Sequence, residues 1–543
     1  MNINIIRKII AVFTAITIIS VFTACRKDDG LGHVFKYDIS ANPATLDPQQ
    51  ASEPNSNTII ANMFTGLVEI AQDGSVQNGA AESYSVSKDG LAYEFKLRRD
   101  IYWIDGEGFE KQCTANDFVF GFWRLFLPET EAPHAKDYFC IKNARAVNEG
   151  GVTDRGKLGV KAKSDFELEI TLEYPNPRFL SMLAEPPAMP CCEEYFKNAQ
   201  GRYGLSAECT PSNGAFYLKS WTYDPYSITD TNNLILGKNA KNAESRTVCP
   251  SGLNFFIEDE DDHIPDFKNG EVSCIAVSNN EKPLIKGSYS VYEFSNVTCG
   301  LVFNSNFALF KNENFKKSLC MLTDRGAIME ALSEYEKADG VVPKQVSIDG
   351  KGYRETNGAA NIPEYNVKAA TDLFSSISSQ LDKSLLTGAK MIVPDTAAQT
   401  AVSYAMQEWQ RELGFYCTVK VLSENEYAKA LREGDFDIAV LELSGKYNSP
   451  SAYLEQFTKS SGENYTRFYN AEFEEYLNKA EAAASSEESA AFYLKAEQIL
   501  IDRCAFYPLY YKNEYFFTSK KGEDIIYNPF SKTVNFALAK LRK

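Results

Sequence analysis

Apolar residues recur along this chain with two periods, and the switching between them outlines the fold. Over 93–97, Tyr93, Phe95 and Leu97 alternate with Glu94 and Lys96, the period-two pattern of a half-buried strand. Over 115–126, Phe118, Phe122 and Phe126 fall four apart behind Thr114, which predicts a capped amphipathic helix. A helix is also predicted over 58–69, where Ile59, Met63 and Leu67 share a face with Ile60 and Phe64 beside them. From residue 388 the two periods take turns. A strand is predicted over 388–395, a helix over 397–412, a strand over 416–422, a helix over 424–432 and a strand from 436. Val402, Met406 and Trp409 lie at helical spacing and read as core. Strands alternating with helices of this length predict an α/β unit with a mostly parallel sheet.

The stretch 436–454, FDIAVLELSGKYNSPSAYL, carries the strongest pattern. Apolar residues occupy both parities from 436 to 443, broken only by Asp437 and Glu442, so the strand is expected to be covered on both faces. It then passes into Ser-Gly-Lys-Tyr-Asn-Ser-Pro-Ser, a cluster of turn formers. Glu442, Lys446, Tyr447 and Asn448 therefore emerge where a buried strand ends. In open α/β sheets that is where ligands sit. The competing reading is a core strand with a polar exit loop.

Length and composition set limits on this picture. A chain of 543 residues is too long for one core and implies two or three domains. Hydrophobic content of 44% with 24% charged residues is that of a globular protein, not of a disordered one. The first residues differ: Arg7 and Lys8 precede an uncharged run, 9–23, that ends in Phe22-Thr23-Ala24-Cys25. This reads as a secretory signal over 1–24, because fifteen residues fall short of a membrane span. Phe-Thr-Ala-Cys resembles a bacterial lipobox, which makes Cys25 the expected lipidated first residue of the mature protein, with 25–35 as tether. A diacylglycerol there anchors the protein stably to a membrane. Removing 1–24 takes away two positive charges and no acid, moving the net charge from −17 to −19. Such an acidic chain does not suit nucleic acid. Of the 12 cysteines eleven follow Cys25, an odd number, with no CxxC. A bridge among Cys191, Cys192 and Cys209 is conceivable, but no disulfide is assigned.

The chemical motifs are sparse. GVTDRGKL over 151–158 matches G-x-x-x-x-G-K, but it lacks the Mg²⁺-binding Ser or Thr and precedes a strand-turn-strand pattern instead of a helix, so it reads as a turn. The run EDEDDH over 258–263 lacks the glycine of a calcium loop and reads as a solvated acidic stretch. The only histidines are His33, His134 and His263, and no G-x-S-x-G or H-E-x-x-H occurs. No catalytic residue, metal or cofactor is assigned. A glycoside-type hydrolase, which needs only two carboxylates, remains the enzyme alternative.

Several segments then supply a resemblance in order and register. They include LDPQQASEPNSNTIIANMFTGLVE, GAAESYSVSKDGLAYEFKLRRDIYWIDGE, TANDFVFGFWRLFLPETEAPHA, SNGAFYLKSW and YLKAEQILIDRCAFYPLYY. Together they resemble the peptide-binding solute receptors of ABC importers, the oligopeptide-binding type of family 5, over nearly all of 36–520. The resemblance implies a two-lobed α/β fold like that of periplasmic binding proteins, with an additional inserted domain and a hinge. Domain I would take 36–62, 187–298 and 512–543, domain II 63–186, and domain III 299–511. It implies a monomeric extracytoplasmic receptor that captures oligopeptides between its lobes. The receptor would hand them to permease subunits and their ATPases, from the outer face of the cytoplasmic membrane or the periplasm.

One departure stands out. In this type of receptor an aspartate directly before Tyr-Asn binds the peptide's α-ammonium; here the residues are Lys446-Tyr447-Asn448. Glu442, on the parity of Phe436, Ile438 and Val440, is one replacement anion, and Glu53, beside Ser52 in SEPNSN, is another. Otherwise the ligand is not a free-amino peptide and Lys446 binds a carboxylate or other anion, or Lys446 faces solvent or pairs with Glu442 or Glu455. The expected ligand-binding set is Ser52, Glu53, Glu442, Leu443, Ser444, Lys446, Tyr447 and Asn448. An anionic solute, a nickel chelate, a sugar or an opine-like compound are the alternatives to peptide within the same receptor class.

Overall fold

Thr114 and Asp117 start the helix Ala115–Phe126 with a capping box, Asp117 Oδ2 accepting from the Thr114 N–H at 2.7 Å. The stripe Phe118, Phe122, Phe126 behind it is buried. In this computed structural model residues 33–71, 74–226, 232–242, 247–257, 263–348, 350–483, 485–519 and 522–541 are described. The expected signal, Cys25, most of the tether and the acidic run 258–262 lie outside them.

The first lobe is built on two four-stranded sheets. Val34–Ile39 pairs in parallel with Gly252–Ile257, and Asn233–Lys238 and Phe216–Thr222 continue that sheet antiparallel. The second sheet is antiparallel, in the order Ala81–Val86, Ala92–Leu97, Glu167–Thr171, Val160–Ser164. Its alternation is the expected one, with Tyr93, Phe95 and Leu97 inward. One core spans both sheets and takes in Tyr527 and Phe536 from the C-terminal segment.

The helix expected over 58–69 is instead Pro54–Met63. Phe64 turns extended, at φ −117° and ψ 145°, and Val68–Ile70 pairs with Val76–Asn78 as a strand. Leu67 stays buried, so the apolar spacing served a strand as well as a helix. Gly66 fits the crossing because a Cβ there would stand 2.8 Å from the Leu183 carbonyl oxygen.

A larger sheet runs from the first lobe into the second, ordered Cys274–Ser278, Tyr507–Thr518, Ser290–Phe303, Ile438–Ser444, Ala389–Val393, Cys417–Val421. The helices Thr396–Leu413 and Glu424–Glu433 alternate with its last strands as expected, and Trp409 and Ile438 are fully buried in a separate core. The sheet is not mostly parallel. Only Ala389–Val393 pairs in parallel, with Cys417–Val421 and Ile438–Ser444. The rest is antiparallel because two long strands enter from the other lobe.

Those strands, Ser290–Phe303 and Tyr507–Thr518, pair from Ser290↔Thr518 to Leu301↔Tyr507. Phe516 belongs to the first core, whereas Cys299, Leu301, Tyr507 and Tyr510 belong to the second. Both strands therefore carry the chain between lobes. Register breaks fall at Ser295/Val297 and Cys299/Gly300, and the buried Ser295 Oγ, Asn296 Oδ1, Thr298 Oγ1 and Asn513 Oδ1 have no partner among the described residues. Unpaired buried polar groups cost free energy, and here they collect where the lobes would pivot.

Candidate ligand-binding site

Between the lobes lies a cleft of about 1990 Å³. That exceeds the roughly 300–1,000 Å³ usual for a small-molecule pocket. One wall comes from the first lobe, including Ser52, Pro54 and Asn57 around the start of the helix Pro54–Met63, the Asn176–Glu185 region and the C-terminal segment near Tyr527. The other wall is the exit loop of Ile438–Ser444 and the helical turns after it, with Lys446, Tyr447, Asn448 and Glu455. Seven acidic side chains line it against five from Lys and Arg, so its lining leans acidic.

The expected site residues separate into two groups. Ser52, Lys446, Tyr447 and Asn448 line the cleft. Glu53 is exposed between the lining residues Ser52 and Pro54 but is not itself part of the lining, and its side chain makes no cap to the helix it precedes. Leu443 is fully buried in the second core, and Ser444 is exposed, its carbonyl accepting from Gln456 Nε2 at 2.8 Å.

Glu442 lies outside the lining as well. Its carboxylate pairs with Lys512, which also holds Asp395 at 2.6 Å. Strand register explains this: Glu442 sits opposite Cys299 and Lys512 opposite Val297, so the two reach across the strand Ser290–Phe303 on one face. Burial works against the Lys512 charge, but Glu442 and the other neighbouring groups outweigh it and keep the ammonium protonated. Lys446 is paired neither with Glu442 nor with Glu455: its Nζ meets Glu463 Oε1 at 2.8 Å, with 78% of the side chain exposed.

Tyr447 reaches a first-lobe side chain, whereas Asn448 is hydrogen-bonded within its own lobe. Asn448 is locked to Ser347, accepting from its N–H at 2.8 Å and donating to its Oγ at 2.8 Å. Its Nδ2 lies 3.2 Å from where a Cβ would project at Gly74 of the first lobe, and Gly74 has φ +81°. Tyr447 donates its hydroxyl to Glu455 Oε2 at 3.0 Å, and the Arg178 guanidinium of the first lobe lies 3.5 Å from its ring centre.

Around this contact sit two residues that the sequence patterns did not select for the site, Arg178 and Glu481, together with Glu455. Burial pushes the Glu455 carboxyl up to about 8, reinforced by a hydrogen bond with Glu481. Burial opposes the Arg178 charge, but Tyr447, Glu455 and Glu481 outweigh it, so the guanidinium stays charged. A signal for Glu481 did exist. Phe473, Leu477 and Glu481 are four apart on the helix Ala471–Glu481, which sets a carboxylate on the apolar stripe. Arg178 follows Asn176-Pro177 in a turn and carries no periodic signal.

A pair of α/β lobes joined by two crossover strands around a large cleft of mixed polar and apolar lining is the architecture of a solute receptor. The chain belongs to the bacterial extracellular solute-binding proteins, family 5, whose model ("family 5 Middle") matches residues 75–465. It is similar to a protein of Escherichia coli (strain K12) named as a probable deoxycholate-binding periplasmic protein, 28% identical over 495 residues and 88% of each chain. It is 26% identical to an oligopeptide-binding protein of Bacillus subtilis over 90% of this chain and 89% of that one. Among solved structures, the unliganded open form of a periplasmic murein tripeptide binding protein superposes with a TM-score of 0.73 at 21% identity, covering 95% of this chain and 99% of that one.

Proposed function

We propose that this protein is a lipid-anchored receptor that captures short peptides between its lobes and presents them to an ABC permease driven by its ATPases. The observation that carries this reading is the cleft of about 1990 Å³, lined from both lobes of a family 5 fold by apolar side chains interspersed with polar and charged ones. Extended peptides bind such clefts through main-chain hydrogen bonds, while roomy hydrated pockets admit varied side chains. Closure about the two crossover strands buries the ligand and gives the permease a form distinct from the empty one. In this reading domain I takes 36–62, 187–298 and 512–543, domain II 63–186 and domain III 299–511. The protein acts by binding alone, without catalysis, and Ser52, Tyr447 and Asn448 are its expected ligand contacts.

A second reading is an amphipathic anion. It is favoured by the absence at 446 of the aspartate that peptide receptors of this type carry, this chain having there a lysine paired with Glu463, and by the relative named for deoxycholate. A thermal-shift panel of di- to pentapeptides together with deoxycholate tests both. Stabilisation by peptides alone is the expected result; stabilisation by deoxycholate alone overturns the peptide reading.

A further inference from the structure

Asn296 stands where the strand Ser290–Phe303 passes from one lobe to the other. The ladder with Tyr507–Thr518 skips it, pairing Ser295 with Asn513 and Val297 with Lys512. The second-lobe strand Ile438–Ser444 begins its own pairing at the next residue, Val297↔Ser444. A residue left out of both ladders is a bulge, and its polar groups bond elsewhere. Asn296 is buried and sends its main chain and its side chain in different directions. Its carbonyl accepts from the Tyr453 hydroxyl at 2.7 Å, and its Nδ2 donates to the Pro529 carbonyl at 3.0 Å.

The two partners belong to opposite walls of the cleft. Tyr453 is fully buried in the second core, on the helix Ser451–Leu454 that follows the cleft-lining residues Lys446, Tyr447 and Asn448. Its ring lies against the start of that loop, where a Cβ on Gly445 would meet Cε2 at 2.5 Å. Pro529 turns a first-lobe hairpin, Ile526–Asn528 paired with Thr533–Asn535. The tip of that hairpin, from Asn528 to Ser531, lines the cleft. Asn528 Oδ1 shapes the tip by accepting from the Phe530 and Ser531 N–H groups at 3.0 and 3.3 Å. The base is fixed to the helix Pro54–Met63, since Asn62 donates to the Val534 carbonyl and accepts from the Phe536 N–H, both at 2.8 Å. Tyr527 stacks on Phe516 of one crossover strand with ring centres 4.7 Å apart, and meets Phe294 of the other at 5.5 Å. Phe530 at the tip packs against the second core instead. The hairpin thus has its base in one lobe and its tip against the other.

We propose that Asn296 is a positioning residue that joins the hairpin tip and the Tyr453 helix into one unit, so that a ligand held against Pro529 and Phe530 also fixes the opposite wall. The proposal takes the cleft as the ligand site and holds for whichever ligand class fills it. The relay is Pro529–Asn296–Tyr453, and both of its hydrogen bonds are buried, where a parted donor or acceptor finds no water to replace its partner. The Pro529 carbonyl also sets which way the Asn296 amide faces, because an amide oxygen turned toward it would repel it. Cutting either bond disconnects the walls, so cutting both adds nothing. Two bonds that acted separately would lose affinity independently of each other.

The test is a double-mutant cycle of Asn296→Ala, Tyr453→Phe and the two together. Asn296→Leu, close in shape but without the amide, is a second variant at that position should alanine not fold. Affinity is measured by calorimetry with tetra-alanine and with deoxycholate, and the probe that binds the unaltered protein is carried through the cycle. Closure is read as the fall in radius of gyration at saturating probe by small-angle scattering, and folding as the urea midpoint. Each single variant is expected to bind about three- to tenfold more weakly, the loss of one buried hydrogen bond, and to close less. The pair is expected to bind no more weakly than the weaker single variant. Losses that multiply in the pair overturn the proposal. So does unchanged affinity and closure beside a lowered urea midpoint, which is the signature of a merely structural role. Binding of deoxycholate alone by the unaltered protein overturns the peptide reading, while the cycle run with deoxycholate still decides the relay.

Discussion

The guanidinium of Arg178 lies 3.5 Å from the centre of the Tyr447 ring, and this contact links the two lobes, whose hydrophobic cores are separate. Arg178 extends from a turn of the first lobe, and Tyr447 from the loop that ends a buried strand of the second. The residue that lines the cleft is thus also a point of contact between its walls, so ligand binding and lobe closure act on the same side chains.

Arg178→Ala should loosen that contact. A cation–π interaction is worth about 0.5–2 kcal/mol depending on desolvation, so peptide affinity should fall by roughly 2- to 30-fold. The empty protein should show a larger radius of gyration by small-angle scattering. A variant with unaltered affinity and scattering would show that the contact contributes nothing to closure.

Folding stability should depend on pH through Glu455. Its carboxyl holds a proton in the folded protein up to about 8, against an ordinary value of 4.5. Between those values the folded state binds more protons than the unfolded chain, so its contribution is complete below the lower value and is lost as pH rises through the upper one. Urea midpoints of the ligand-free protein should fall from pH 5 to pH 8, and less steeply in Glu481→Gln. Equal slopes in both proteins would show that Glu481 does not contribute to raising the Glu455 carboxyl.

Glu442→Gln should weaken folding and leave ligand binding alone. It removes one of the two carboxylates on Lys512, whose loss should cost about 1–2 kcal/mol by denaturant unfolding. Peptide affinity should stay within about twofold, on the scale where 1.4 kcal/mol is tenfold. A large loss of affinity with unchanged stability would return Glu442 to the ligand site.

Lys446→Ala should have little effect on either property. Its partner Glu463 is 2.8 Å away, but the lysine side chain is 78% exposed, and exposed pairs contribute about 0–1 kcal/mol. Affinity measured at low and at high salt should stay within a few-fold of the unaltered protein. A tenfold change would place Lys446 against the ligand.

What the sequence made legible follows from the range of each interaction. The capping box at Thr114 and the alternation of Tyr93, Phe95 and Leu97 are local, and both appear where the pattern puts them. The strand that leads into Lys446-Tyr447-Asn448 was also readable, because burial on both faces leaves apolar residues on both parities from Ile438 to Leu441. The antiparallel half of the second sheet was not readable, since Ser290–Phe303 and Tyr507–Thr518 meet across two hundred residues. Glu442 shows the same limit within a site. Its parity was visible, but Lys512, which occupies that face, lies on another strand. Glu481 sat on a readable stripe, but only the folded helix brings it to Glu455.

The central claim is that both lobes grip one peptide, and hydrogen–deuterium exchange with and without tetra-alanine tests it most directly. The account predicts protection on both walls together, at 51–57 and 176–185 in the first lobe and at 446–456 in the second. Protection confined to one wall, or exchange unchanged at saturating peptide, would contradict it.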